Sequence, residues 1–231
     1  MWTLSTYRDT ECDRCQHPVS ILPCVRPYHH GNLRSTLIET GVELARAQGP
    51  EGVVLREVAR RAGVSHNAAY RHFADRDELL GEIASVAAEK LEEHMRRRLD
   101  ELDEPDTARL AVRRLHEVGR AYVEFALAEP GLFAVAFAEL PAGDDDHRPD
   151  PSAEMAEVGP YQLLGQCLDD LVEVGAMPPE RRLGADLGCW AAVHGFSVLC
   201  LTGPLTGLPP ELRDAALQGM LEVVERGLTR P

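Results

Sequence analysis

Apolar residues recur every three or four positions through most of this chain, and no stretch alternates as a half-buried strand would. A first helix is predicted over Leu33–Gln48, with Leu37, Gly41, Leu44 and Ala45 on one face and Gly49-Pro50 as a stop. Two short helical runs follow, REVARRAG and HNAAYRHF, joined by Gly63, Val64 and Ser65. Asp75 then opens a long helix, with Glu78 three residues on as a capping partner. Its stripe is Leu79, Ile83, Val86, Ala87, Leu91, Met95 and Leu99. A fifth helix is expected over 108–128, with Leu115, Val118, Tyr122 and Phe125 on one face. Pro130-Gly131 should break it before a short apolar helix over 132–137. Residues 141–153 read as an acidic loop. Three more helices are predicted over 154–173, 180–201 and 210–228. The expected fold class is all-α, without internal repeats.

The pair of short helices carries the most information. Ala59 and Gly63 are small enough to let two helices cross closely. Ser65 is suited to cap the second helix, because its hydroxyl accepts an orphan backbone N–H. That second helix presents His66, Asn67, Tyr70, Arg71 and His72, groups that reach phosphates or base edges, with small Ala68 among them. This is the layout of a helix-turn-helix, whose second helix enters the DNA major groove. The bland alternative is an ordinary helical hairpin.

The segments YHHGNLR (28–34), LREVARRAGVS (55–65), AAYRHF (68–73) and DRDELL (75–80) resemble the DNA-binding region of the tetracycline-repressor (TetR) family of bacterial transcriptional regulators. The specific likeness spans roughly residues 28–97. Further on, CWAAVHGF (189–196) resembles the Trp-His-Gly type of C-terminal domain within that family. The resemblance implies a three-helix DNA-binding domain over 28–75 and a C-terminal effector-binding and dimerisation domain over 76–231. It implies a homodimer on a palindromic operator in double-stranded DNA, held by a bundle of the last two helices and their copies. It also implies repression relieved by a small molecule. The expected DNA-contacting residues are Arg56, Ser65, His66, Asn67, Ala68, Tyr70, Arg71, His72 and Arg76. One departure shows: Val54 stands where the family often has Ser or Thr, so a helix cap and phosphate contact are missing there.

Charge sharpens the picture. The formal net charge is −14, unusual for a DNA binder. Residues 28–80 hold seven arginines against seven carboxylates, whereas residues 81–231 hold 14 basic and 28 acidic groups. The acidity therefore lies outside the helix-turn-helix, and few ion contacts per protomer are expected. No apolar run approaches the ~18 residues of a membrane span, and the N-terminus lacks a secretory pattern. The expectation is a soluble, cytoplasmic protein that does not enter membranes.

Residues 1–27 read as a disordered leader. Cys12, Cys15, His17 and Cys24 have the raw spacing of a zinc site, but no second knuckle follows, and neither metal nor cofactor is expected. An enzyme reading finds no support. No Gly-rich loop follows a strand, no serine sits in a nucleophile elbow, and His116-Glu117 lacks a second histidine four residues on. A ligand pocket is expected instead, among the fourth, fifth, seventh and eighth helices. Tyr122, Phe125, Phe133, Phe137, Tyr161, Leu164, Trp190 and His194 are its candidate walls. Any one of them could equally be plain core, and three roles suit His194: core, ligand donor or dimer seam. The acidic body disfavours anions, so a neutral or cationic apolar effector is expected. Leu187, Ala191 and Val198, with Leu217, Leu221 and Val224, are the expected dimer seam. Two alternatives stand beside this reading: a dimeric DNA-binding regulator with no small-molecule effector, and a helical enzyme or interaction protein that binds no DNA.

Overall fold

The computed structural model describes residues 33–102, 107–138 and 159–229, all within one compact unit. The leader, its cysteines and the acidic loop lie outside the described residues. Among the described residues the regular elements are helices. They are α1 (Leu33–Gln48), α2 (Leu55–Arg61), α3 (His66–Ala69), α4 (Arg76–Asp100), α5 (Ala108–Ala128), α6 (Pro130–Ala136), α7 (Gly159–Glu173), α8 (Ala185–Leu201) and α9 (Pro210–Thr229).

The long α4 is the organising element. Its buried stripe is Leu79, Leu80, Ile83, Ala87, Leu91 and Met95. α1 packs on it, as do α5, α6 and α7. α5 in turn carries α7, α8 and α9. One continuous apolar core runs from Leu37 in α1 to Leu221 in α9. α4 therefore joins the N-terminal helices to the C-terminal ones.

Several boundaries differ from the periodicity reading. Pro130 and Gly131 open α6 rather than preceding it, because proline is tolerated at a helix's first position, where its missing N–H has no intrahelical role. α8 begins at Ala185, not at 180. Gly184 adopts a left-handed conformation (φ 77°) and separates α8 from a single 3₁₀ turn at Pro179–Arg181. α3 is regular only to Ala69. Beyond it, the N–H groups of Arg71 and His72 bond three residues back, to Ala68 and Ala69, so the chain tightens into a turn.

α6 lies close against α1. A Cβ on Gly131 would collide with the Ala45 carbonyl oxygen, and Glu129 takes two hydrogen bonds at 2.9 Å from the Arg46 guanidinium. The ion pair is largely exposed and fixes geometry more than stability. Gly131→Ala should force the two helices apart and lower stability by about 1–3 kcal/mol. A shifted urea midpoint with unchanged slope would register this, and an unchanged midpoint would show that α6 can move away freely.

Two residues assigned to the dimer seam face the other way. Leu217 and Leu221 are buried inside the protomer. Leu221 reaches α5, where a Cβ on Gly119 would come within 2.7 Å of its Cδ2 atom. Val224 is half-buried against the same core. The outward face of α9 carries Leu212, Ala216, Gly219 and Val223 instead.

Candidate DNA-reading surface and ligand cavity

The turn between α2 and α3 is built by hydrogen bonding at both ends. The Val64 N–H donates to Ala59 O at 3.0 Å and the Gly63 N–H to Arg60 O at 3.3 Å, with Gly63 at φ 72°. This double closure needs a left-handed residue, which glycine supplies without strain. Ser65 Oγ then accepts the Ala68 N–H at 3.2 Å and starts α3. The entry to α4 is capped reciprocally. Asp75 Oδ1 accepts the Glu78 N–H at 2.9 Å, and the Ala74 N–H donates to Glu78 Oε2 at 2.6 Å. Ala69 and Phe73 are fully buried and anchor α3 to the core.

This anchoring leaves Arg56, Ser65, His66, Asn67, Tyr70 and Arg71 exposed, with Ala68 and His72 half-buried. The His66 and Tyr70 rings meet edge-on at 4.4 Å, so each restricts the other's rotamers. Arg76 is half-buried and turned to the backbone of its own chain. Its guanidinium donates to Val53 O at 2.9 Å and Pro50 O at 2.7 Å. It thereby ties the start of α4 to the loop before α2. Val54, which offers no side-chain cap to α2, sits beside this clamp.

Glu57 takes hydrogen bonds from Arg60 and Arg61, which hold its carboxyl down at about 2. The carboxylate thus stays ionised at neutral pH and cancels nearby positive charge. Glu57→Gln should raise affinity for duplex DNA of any sequence and steepen the dependence on salt. Fluorescence-anisotropy titrations at two salt concentrations would test this, and unchanged affinity for random duplex would contradict it.

Behind α4 lies a cavity of about 210 Å³. Leu91 and Met95 line it from α4, Leu115, His116, Gly119 and Tyr122 from α5, and Phe137 from the end of α6. Tyr161 and Leu164 come from α7, Cys189, Trp190 and Val193 from α8, and Leu221 and Val224 from α9. Of the candidate walls, Tyr122, Phe137, Tyr161, Leu164 and Trp190 stand on it. Phe125 and Phe133 do not line it: both are buried, and Phe133 backs Phe137 with centroids 4.9 Å apart. His194 also stands behind the wall, its Nδ1 2.9 Å from the Tyr122 hydroxyl. Trp190 Nε1 donates to that same hydroxyl at 3.2 Å. Burial raises the Tyr122 pKa and lowers that of His194, so both are neutral at physiological pH. Burial likewise pushes the Cys189 thiol up to about 12, which makes it inert.

Sequence reasoning missed α9 as a wall, together with His116 and Gly119. The one available signal was Gly119 itself. A lone glycine among Leu115, Val118 and Tyr122 costs helix stability of about 1 kcal/mol against alanine, and so marks a close approach.

The model of the bacterial regulatory proteins of the tetR family matches residues 37–83, and that of the tetracyclin repressor-like C-terminal domain matches residues 115–224. The chain belongs to the TetR family. Among curated relatives it is 23% identical over 169 residues to YobS, an uncharacterized HTH-type transcriptional regulator of Bacillus subtilis. The match covers 73% of this chain and 79% of the relative. A protein of unknown function from Rhodococcus sp. RHA1 shares 29% identity at a TM-score of 0.70, over 89% of this chain and all of that one. A single-residue variant of TetR from Acinetobacter baumannii, solved in complex with minocycline, shares the fold at 21% identity and a TM-score of 0.56, over 84% and 94% of the two chains. This TetR-family chain is therefore a transcriptional regulator with a DNA-binding helix-turn-helix, and the family's members are not enzymes. Among the described residues no helix is long and apolar enough to cross a membrane.

Proposed function

We propose that the chain acts as a homodimeric repressor that leaves a palindromic operator when a small apolar molecule fills the cavity behind α4. The observation that carries this reading is the shared use of α4. One end of the helix is locked to the DNA-reading unit by Arg76 and by the Arg34–Glu82 ion pair at 2.8 Å. The other end lines the cavity through Leu91 and Met95. A ligand that fits one tilt of α4 better than another changes the spacing of the two reading helices by that difference in affinity. The minocycline-bound relative supports ligand binding within this fold.

Dimerisation is supported by apolar residues left uncovered on one face of α8, Leu187, Ala191 and Val198, and by the exposed Leu212 and Val223 of α9. Pairing through that face would set two reading helices about 34–36 Å apart, one turn of DNA. In each half-site Tyr70 and His72 meet phosphates, while His66, Asn67 and Arg71 face base edges. Asn67→Ala should cost about 1–3 kcal/mol of discrimination between operator and mismatched duplex. Tyr70→Ala should weaken binding to all sequences alike. Equal losses on operator and random DNA for Asn67→Ala would remove the base-reading assignment.

Electrophoretic shift of the operator with and without lipophilic ligands tests the whole reading. Release by at least one ligand is expected. If ligands bind the cavity and the shift never changes, the chain is a dimeric regulator that answers no effector.

A further inference from the structure

We infer that the ligand of this cavity carries a protonated amine, seated against Tyr122, Phe137 and Trp190. The inference rests on the ligand-responsive reading above and adds the chemical class of the effector. Three observations carry it.

The first is hydrogen-bond bookkeeping. Trp190 Nε1 donates into the Tyr122 hydroxyl. The hydroxyl, in turn, lies 2.9 Å from His194 Nδ1. If Nδ1 carried a proton, the hydroxyl would accept twice, and its own proton would be left unpaired in an apolar cavity. An unmade donor costs more than a spare lone pair, so Tyr122 donates to His194 and keeps one lone pair free. Tyr122, a residue of the cavity wall, thus keeps acceptor capacity and has no donor to spare.

The second is the ring wall. Phe137 stands 6.0 Å from both Tyr122 and Trp190, at interplanar angles of 45° and 42°. Three rings at such angles make a bent aromatic wall, and aromatic ring faces attract an ammonium group.

The third is charge. No Lys or Arg lines the cavity among the described residues. His116 lines it, with its Nε2 2.9 Å from Glu225 Oε2, which places a carboxylate just behind the wall. A buried cation needs such compensation, and the one wall side chain able to carry positive charge, His116, already lies against that carboxylate. The Tyr161 hydroxyl, also on the wall, lies within the field of Asp186 and Arg182 and is half-exposed.

Calorimetric titration of the full chain with three compounds of one shape tests this: phenethylammonium, its uncharged isostere propylbenzene, and phenylpropanoate. Phenethylammonium should bind about tenfold tighter than propylbenzene, and phenylpropanoate should not bind. Tyr122→Phe should weaken the ammonium about tenfold and leave propylbenzene unchanged. Glu225→Gln, which leaves the wall intact, should weaken the ammonium alone, and it serves if Tyr122→Phe melts early. Equal or tighter binding of propylbenzene or phenylpropanoate overturns the inference, as does no binding by any of the three up to millimolar concentration. Each compound is also added to an operator shift. A selectively bound ammonium that leaves the operator complex intact upholds this inference and defeats the release mechanism. Release by the hydrocarbon or the carboxylate does the reverse.

Discussion

A carboxylate placed at each end of the exposed apolar face of α8 should turn the protein into a monomer that no longer holds its operator. Leu187 is 57% exposed and Val198 41% exposed, and both sit on one face of the helix with Ala191. Exposed apolar side chains scattered singly need no explanation, but several grouped on one face mark an interaction surface. On α9 Leu212 and Val223 are likewise exposed, 59% and 60%. Leu187→Glu with Val198→Glu would bring two charges from each copy to one seam, where neither could be hydrated or paired. Sedimentation at micromolar concentration should then report the monomer mass. Operator affinity should fall on the order of a hundredfold or more, because each reading unit loses the effective concentration that its partner supplies. Far-ultraviolet circular dichroism should be unchanged, since neither side chain belongs to the protomer core. A dimer mass with full operator affinity would show that this face is not the seam.

Helix α9 also shows where sequence stops. Periodicity places apolar faces on α9 but does not say which neighbour each will meet. Leu217, Leu221 and Val224 form one face and Leu212, Ala216 and Val223 another, and the choice between core and surface is made by α5. Gly119 removes a side chain at the contact, Leu221 fills the gap, and that face of α9 turns inward. The helix-turn-helix was more legible because its signals are local. A serine cap, a left-handed glycine and small residues at the crossing act within ten residues of one another. Arg76 marks the limit even there. Its carbonyl partners, Val53 and Pro50, lie more than twenty positions away, and only the folded chain brings them together. The cavity was half legible for the same reason. Aromatic residues on the right helices announced a pocket, but helical position alone could not separate Phe137, on the wall, from Phe133, one ring behind it.

Trp190→Leu should abolish or sharply weaken the response to ligand while leaving operator binding nearly intact. Trp190 lines the cavity and packs within 6.0 Å of Phe137 and 5.2 Å of His194, centroid to centroid. It also fixes the Tyr122 hydroxyl through its indole N–H. Leucine preserves apolar character but loses a ring face and that donor, and it leaves a void. The lost packing is expected to cost about 2–4 kcal/mol of stability, lower than a cut to alanine and tolerable in a core of this extent. The DNA-reading unit is held by different contacts, among them Phe73, Val58, Leu44 and the Arg76 clamp. Its geometry should therefore survive, and the operator dissociation constant should stay within about threefold of the parent value, less than about 1 kcal/mol. Ligand affinity should fall by about tenfold or more, since an indole face is the strongest of the three rings toward a cation. Operator shift and calorimetric titration on the same preparation separate the two effects. If Trp190→Leu loses operator binding and ligand response together at a temperature where it remains folded, Trp190 works as a structural link between cavity and DNA-reading unit, not as a wall of the ligand site.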